Sequence, residues 1–305
     1  MHTVEAGKRI AIENILFATD FSPCSNAALP YALSVARQYG ATLHAAHILP
    51  TKTEIVLMSP ESWPPPLLAE EEGKTEAKLQ QLEWQLQGLP HKVLTPTGDA
   101  ADVLTQISRK QEIDLLVLGT HGRAGVGKLL LGSVAEDVLR RADCPVLSVG
   151  PKVSCPPDGE IHFQHIIFAT DFSENSLGAL PYALSLAEED QAQLVLLHVI
   201  AQPAAGIADL ERVKASLMRR LHELTPAAAE PWCQMECLLE FGRQFASPAE
   251  RILEIAHDQA ADLIVLGVRP VRGKLGLATH LASTTAQILT QATCPVLTVR
   301  GQHAK

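Results

Sequence analysis

The sequence contains no run approaching about 18 consecutive apolar residues, which excludes an ordinary membrane-spanning helix. Its Met1–Phe17 segment mixes charged with apolar residues and therefore lacks the apolar stretch of a signal peptide. Basic residues are also few, because the 305 residues include 25 Lys and Arg against 34 Asp and Glu, and neither half of the chain is basic. A surface for duplex nucleic acid is not indicated. We expect a cytoplasmic protein that binds neither membranes nor nucleic acids.

Several motifs of metal sites, hydrolases and dinucleotide-binding sites are missing. The chain has no CxxC pair, no Gly-x-Ser-x-Gly, no GxGxxG after a first strand and no His/Asp/Glu cluster with metal-ligand spacing, so no metal site and no catalytic residues are assigned. Cys233 and Cys237 stand four apart in a strand-like run, about 13 Å, too far for one disulfide or zinc ion to join them. We interpret the six cysteines as free buried thiols in a reducing compartment.

What the chain does contain is a tandem repeat. Ile15–Leu49 and Ile166–Ile200 align without gaps and share FATDFS, ALPYALS and a histidine near the end. The segment CPVL also occurs twice, beginning at Cys144 and Cys294. The repeat indicates a duplication of one domain, with Pro151–Glu160 as a proline-rich linker.

Each unit alternates short apolar runs with helical patterns such as the stripe of Leu79, Leu82 and Leu86. Runs that are apolar at nearly every position indicate strands covered on both faces, as in a parallel sheet. We predict two tandem, doubly wound, five-stranded α/β domains, residues 1–152 and 161–305. The predicted strands are Asn14–Ala18, Thr42–Ile48, Lys92–Thr95, Asp114–Leu118, Pro145–Val149, His165–Ala169, Gln193–Ile200, Cys233–Leu239, Asp262–Leu266 and Pro295–Val299.

The sequence predicts where one helix starts and where two others bend. Ser247-Pro-Ala-Glu250 is a capping box with Pro at the first helical position, and it predicts the start of a helix that includes Arg251–Gln259. Pro30 and Pro181 fall inside the first helix of each unit and should bend it.

The loop after the fourth strand of the first unit, Gly119–Leu139, combines three glycines with the start of a helix. Ser133-Val-Ala-Glu136 matches a capping box, so we predict Ser133 as the N-cap. A helix N-terminus presents unpaired N–H donors and partial positive charge, which suit phosphate oxygens. Ligands of doubly wound sheets bind beyond the carboxyl ends of the strands where the strand order reverses, so the loop is predicted to hold phosphate. His121 is interpreted as an exposed loop histidine, with a phosphate donor or general base as alternatives, and His47 and His198 as core histidines.

The spacing Gly119-x2-Gly122-x9-Gly132-Ser133, between a DLLVLGTHG strand and CPVL, resembles the nucleotide-binding motif of the universal stress protein family. The ATDFS opening and the HIL strand end are similar to that family as well, and the resemblance covers nearly the whole chain as two copies. It implies a Rossmann-like fold of the adenine-nucleotide alpha-hydrolase-like type.

The resemblance implies one ATP site, with or without magnesium, in the first unit. Asp20 would contact the nucleotide, although it could instead cap the turn that Ser22 and Pro23 begin. Backbone near Ile48 would meet the adenine and Gly119 the ribose. The residues implied to hold the phosphates are Gly122, Gly132, Ser133 and Val134.

The second unit departs from this motif. Pro270 replaces Gly122 and Ala282 replaces Gly132, which removes an N–H donor and adds a methyl group where the backbone would meet phosphate. Asp171 and Gly267 remain. We expect the first unit to bind ATP and the second to bind it poorly or not at all.

The leading functional hypothesis is a non-catalytic, ATP-binding regulator of the stress response with unidentified protein partners, as the resemblance implies. The alternatives are a slow ATPase or nucleotidyl transferase that uses the same loop, and a nucleotide-independent scaffold. The two units should pack as a pseudo-dimer through Pro145–Val149 and Pro295–Val299, and a further homodimer stays open. The insertion Pro50–Pro66 is interpreted equally as a lid or as a partner surface.

Overall fold

Both units contribute strands to one continuous sheet. The computed structural model describes residues 10–51, 65–122, 131–154, 161–200, 210–226, 234–241, 247–269 and 283–300, with the main chain alone at 65–72 and 283. The first unit supplies β1 (Asn14–Ala18), β2 (Thr42–Ala46), β3 (His91–Leu94), β4 (Leu115–Gly119) and β5 (Val146–Val149). The second supplies β6 (His165–Ala169), β7 (Gln193–Ile200), β8 (Gln234–Phe241), β9 (Leu263–Val268) and β10 (Val296–Arg300).

The strand order across the sheet is β3-β2-β1-β4-β5-β10-β9-β6-β7-β8. Every pairing within a unit is parallel. The order therefore reverses between β1 and β4 in the first unit and between β6 and β9 in the second, which confirms the predicted pair of doubly wound α/β units. Such a reversal opens a crevice at the carboxyl edge of the sheet.

Helices cover both faces of this sheet. Those of the first unit are α1 (Pro23–Tyr39), α2 (Pro65–Gln85), α3 (Ala100–Lys110) and α4 (Ser133–Arg141), and those of the second are α5 (Glu174–Leu177), α6 (Leu180–Asp190), α7 (Leu210–His222), α8 (Pro248–Asp258) and α9 (Ser283–Gln291). Phe17 packs with residues of α1 and α2, whereas its neighbour Leu16 packs with residues of α3 and α4. Alternate strand residues therefore pack into two separate apolar layers, one on each face of the sheet, which explains why the strands are apolar throughout.

The two units meet where β5 and β10 pair antiparallel, with Leu147 opposite Leu297. The Thr298 hydroxyl donates to the Val146 carbonyl at 3.2 Å across this junction. On one face, the Gln38 amide of α1 donates to Asp190 at 2.8 Å. These contacts confirm the predicted pseudo-dimer through the last strand of each unit.

The two helix prolines have different consequences. In the first unit α1 continues past Pro30 as one helix. In the second unit the equivalent segment forms two helices that are interrupted at Gly178, where the first unit has Ala27. Pro181 then lies in the first turn of α6, where a missing N–H removes no helical hydrogen bond. The predicted bend is thus a break in the second unit, and Pro181 begins a helix there instead of interrupting one.

The capping-box prediction for the second unit is confirmed, because Ser247 caps α8 by accepting from the Glu250 N–H. Cys24, Cys144 and Cys294 are free and buried as predicted, and burial raises the pKa of each thiol, to about 12 for Cys294. Cys237 is free but only partly buried, so the prediction of a buried thiol is wrong there. The prediction for Cys233, the course of the linker from 155 to 160 and most of the insertion 50–66 lie outside the described residues. In the part of the chain that the structure describes, no helix has the length and apolarity to cross a bilayer.

Candidate functional site

A cavity of about 390 Å³ opens at the carboxyl edge of β1, β2 and β4, above α3 and α4. It lies beside the strand reversal of the first unit, where doubly wound sheets place their ligands. The structure brings together at this one cavity all seven residues singled out from the sequence, namely Asp20, Ile48, Gly119, Gly122, Gly132, Ser133 and Val134.

Asp20 follows β1 and lines the cavity. Its Oδ1 accepts a hydrogen bond of 2.9 Å from the Ser22 N–H, so the carboxylate does cap the turn, as the alternative interpretation expects. Its other oxygen, Oδ2, would lie 2.9 Å from a Cβ placed on Gly122. The carboxylate therefore serves the turn with one oxygen and faces the glycine loop with the other, and the two interpretations are compatible.

The main chain at Ile48 lies just beyond the end of β2. The N–H groups of His47 and Leu49 donate to the carbonyls of Leu94 and Pro96, on the side of β3. Because successive residues of an extended strand direct their polar groups to opposite sides, the N–H and carbonyl of Ile48 face the other side, above the end of β1. That side is the cavity, which Ile48 lines.

The N-terminus of α4 forms the opposite wall. Gly132, not Ser133, is the N-cap, and Ser133 is the first helical residue, so the prediction of Ser133 as the cap is wrong. In the described part of the chain no side chain caps this helix, and its first main-chain bond runs from the Glu136 N–H to the Gly132 carbonyl at 2.8 Å. The three N–H groups before Glu136 therefore have no acceptor inside the helix. Ser133 and Val134 are exposed and line the cavity.

Gly132 is required by a close approach of two backbone segments. Its N–H donates to the Thr120 carbonyl at 2.8 Å, and a Cβ at this position would lie 2.9 Å from the same oxygen. Any side chain here would push the start of α4 away from the loop after β4.

Gly119 has a different physical reason for being glycine. A Cβ there would lie 2.6 Å from the Cys24 carbonyl carbon and 2.6 Å from the Ser25 nitrogen, both in the first turn of α1. Packing of α1 against β4 thus requires this glycine, whether or not a ribose lies beside it.

His121 is half-buried, so its interpretation as an exposed loop histidine is wrong. Its Nδ1 lies 2.9 Å from the Thr120 hydroxyl, and its Nε2 is buried with no hydrogen-bond partner among the described residues. Burial lowers the pKa of this imidazole below the ordinary value for histidine, which favours the neutral ring. His47 is a core histidine as predicted, and its Nδ1 donates to the Thr19 carbonyl at 2.8 Å. His198 makes the same bond to Thr170 at 2.7 Å but is only partly buried.

The corresponding carboxylate of the second unit has protein partners of its own. Asp171 accepts from the Ser173 N–H at 2.9 Å and from the Ser173 hydroxyl, and Arg269 donates to it at 3.4 Å. Burial acts to raise the pKa of Asp171, but these hydrogen bonds and the Arg269 charge outweigh it and lower the pKa to about 2. Arg269 stands where the first unit has His121. The replacements at 270 and 282 lie outside the described residues.

The low pKa of Asp171 predicts a pH-dependent contribution to stability. The ordinary value is 3.8, so the ionised carboxylate stabilises the folded state fully above about pH 5, and this contribution is lost as the pH falls towards 2. Asp171→Asn should therefore lower the free energy of unfolding at pH 7, and the difference from wild type should shrink steadily below pH 4. Urea denaturation at a series of pH values measures this, and a pH-independent difference would contradict it.

Sequence reasoning missed the apolar wall of the cavity. Ala100 and Leu104 of α3 line it, together with Leu131 before α4. The i, i+4 spacing of Ala100 and Leu104 could have identified one face of a helix. It could not have shown that this face extends past the end of the sheet.

The protein consists of two doubly wound α/β units that share one sheet. A helix N-terminus and a glycine loop lie at the strand reversal of the first unit, which makes this an α/β protein with a crevice at the carboxyl edge of its sheet. Residues 11–150 and 162–300 match the Universal stress protein family, and the chain therefore belongs to that family as a tandem two-domain member. It is 26% identical over 316 residues to a universal stress protein of Mycobacterium tuberculosis, which covers 94% of both chains.

Two further relatives show how far the similarity extends. The chain is 32% identical over 141 residues to a universal stress protein of Methanocaldococcus jannaschii, a match that covers 45% of this chain and 81% of the relative. The crystal structure of a universal stress protein from Archaeoglobus fulgidus superposes with a TM-score of 0.66 at 20% identity, covering 95% of this chain and 98% of the other. That likeness supports the fold.

Proposed function

We propose that the first unit binds one molecule of ATP in the 390 Å³ cavity, and that the chain acts as a non-catalytic, nucleotide-dependent regulator of a stress response. The single observation that carries this proposal is the N-terminus of α4, which lines the cavity and has no side-chain cap among the described residues. A helix N-terminus combines free N–H donors with partial positive charge and is suited to an anionic phosphate chain.

The rest of the cavity suits a nucleoside. The Ile48 main chain offers a donor and an acceptor on the wall opposite α4, which is the pattern that an adenine edge requires. Ala46, Leu104 and Leu118 supply apolar surface for the base. Asp20 provides a carboxylate that can accept from ribose hydroxyls. The volume lies within the range of about 300–1,000 Å³ that small-molecule sites occupy.

The second unit is proposed not to share this function. The carboxylate of Asp171 is already engaged by Ser173 and Arg269, so a nucleotide would have to displace protein partners to reach it. The regulatory output is proposed to pass through protein partners, as the family membership suggests.

Isothermal titration of the full chain with ATP, with and without magnesium, tests the proposal. We expect one site per chain, and mass spectrometry of the molecules that co-purify should find an adenine nucleotide. Two equivalent sites would contradict the assignment to the first unit, and no binding would favour the nucleotide-independent scaffold. Steady ATP hydrolysis by the wild type, lost in a variant that no longer binds ATP, would instead identify an enzyme.

A further inference from the structure

A second cavity, of about 260 Å³, lies on the other face of the sheet. It is enclosed by α1, α2 and the end of β1, whereas the nucleotide cavity is enclosed by α3 and α4. Thr19 lines both, and the turn that follows it separates them. Phe21 has a positive φ of 59° in this turn, so Asp20 lines one cavity and Phe21 lines the other.

The floor of the second cavity is apolar and its rim is polar. Phe17, Leu29 and Leu82 are buried and form the floor. The exposed amides of Asn26, Gln81 and Gln85 surround it and offer both donors and acceptors. An apolar base with a few convergent polar groups is the usual construction of a site for a small organic molecule.

Lys78 supplies the only charge among the described residues that line this cavity. Its Nζ lies 5.7 Å from the centroid of the Phe21 ring, and no carboxylate of the described residues forms an ion pair with it. A cation that stands beside an apolar floor, with no counter-charge among the described residues, favours an anionic ligand with an apolar body.

The second unit has the same turn with different neighbours. Phe172 repeats Phe21, with the same φ of 59°. There, the Arg220 guanidinium of α7 lies only 4.1 Å from the Phe172 ring centroid, and Leu177 stands where the first unit has Asn26. In the second unit a cation thus packs closely on the phenylalanine ring and an apolar residue replaces the amide, whereas the cation of the first unit lies farther from its ring.

From these observations we propose that the cavity between α1 and α2 binds a small organic carboxylate, with its apolar body on Phe17 and Leu82 and its carboxylate at Lys78. The volume is below that of drug-sized pockets, which restricts the ligand to a single ring or a short aliphatic chain. The site is separate from the proposed nucleotide site and does not depend on it.

Fluorine NMR with para-fluorobenzoate as the probe tests this site in the full chain. We expect saturable binding, and weaker binding of the uncharged para-fluorobenzamide. Lys78→Glu should weaken para-fluorobenzoate about tenfold, because an attraction worth about two- to fivefold at an exposed site becomes a repulsion. Lys110→Glu, a matched charge reversal on exposed α3 surface, should have no effect.

Two further variants separate the two cavities. Asn26→Trp changes an exposed residue and should abolish binding by filling the second cavity, while Val134→Trp, in the nucleotide cavity, should leave it unchanged. Loss of binding in Val134→Trp with no loss in Lys78→Glu would place the probe in the nucleotide cavity and overturn the proposal. Equal weakening by Lys78→Glu and Lys110→Glu, or no saturable binding at all, would overturn it as well.

Discussion

Replacement of Ser133 by Glu is expected to abolish ATP binding without loss of stability. Ser133 is the first residue of α4, is exposed and lines the proposed nucleotide cavity. A carboxylate there would lie where the phosphates are proposed to sit, and two like charges about 4 Å apart repel by several kcal/mol near a protein surface, so affinity should fall by about 100-fold or more. The same charge suits a helix N-terminus and should stabilise the apoprotein by about 0.3–1 kcal/mol.

The variant should bind ATP more weakly and yet be more stable without ATP, so a loss of binding could not be explained by a loss of folding. Titration calorimetry measures the affinity and thermal unfolding without nucleotide measures the stability. Ser283→Glu is the matched control, because Ser283 begins α9 at the same position of the second unit. It should leave ATP binding unchanged. Equal losses in the two variants, or full binding by Ser133→Glu, would contradict a phosphate site at α4.

The sequence was sufficient to predict which residues meet at this cavity because its signals are periodic and repeated. The apolar runs predicted every strand of the sheet, and the reversal at β1 then fixed the edge at which Asp20 and Ile48 meet the glycine loop. Comparison of the two copies distinguished the glycines that both units keep from those that one unit has lost.

The failures have a common cause in tertiary packing. The capping-box pattern Ser133-x-x-Glu136 predicted Ser133 as the N-cap, but Gly132 takes that position because its N–H is held by the Thr120 carbonyl. His121 follows a strand end and looks exposed in sequence, yet the folded chain buries half of it. The second cavity depends on how α2 lies against α1, a contact between helices with no short sequence motif.

Gly267→Ala is expected to produce the largest loss of stability of any single methyl group added to a described glycine. Its Cβ would lie 2.1 Å from the Asn175 carbonyl oxygen and 2.3 Å from the Ser176 Cα, and both are backbone atoms of α5 that cannot move aside alone. Overpacking of this kind costs about 3 kcal/mol. Urea denaturation should show this loss, whereas ATP binding by the first unit should persist wherever the chain stays folded.

Gly73→Ala is the control with the opposite sign. Gly73 lies inside α2, is exposed and has nothing within 4 Å of an added Cβ, so alanine should stabilise the chain by about 0.5–1 kcal/mol. The second unit has lost the residues equivalent to Gly122 and Gly132 but retains Gly267. Retention of a glycine without the rest of the phosphate loop is explained if this position serves helix packing. A small effect of Gly267→Ala on stability would contradict this explanation and would favour ligand binding as the reason for glycine at positions 119 and 267.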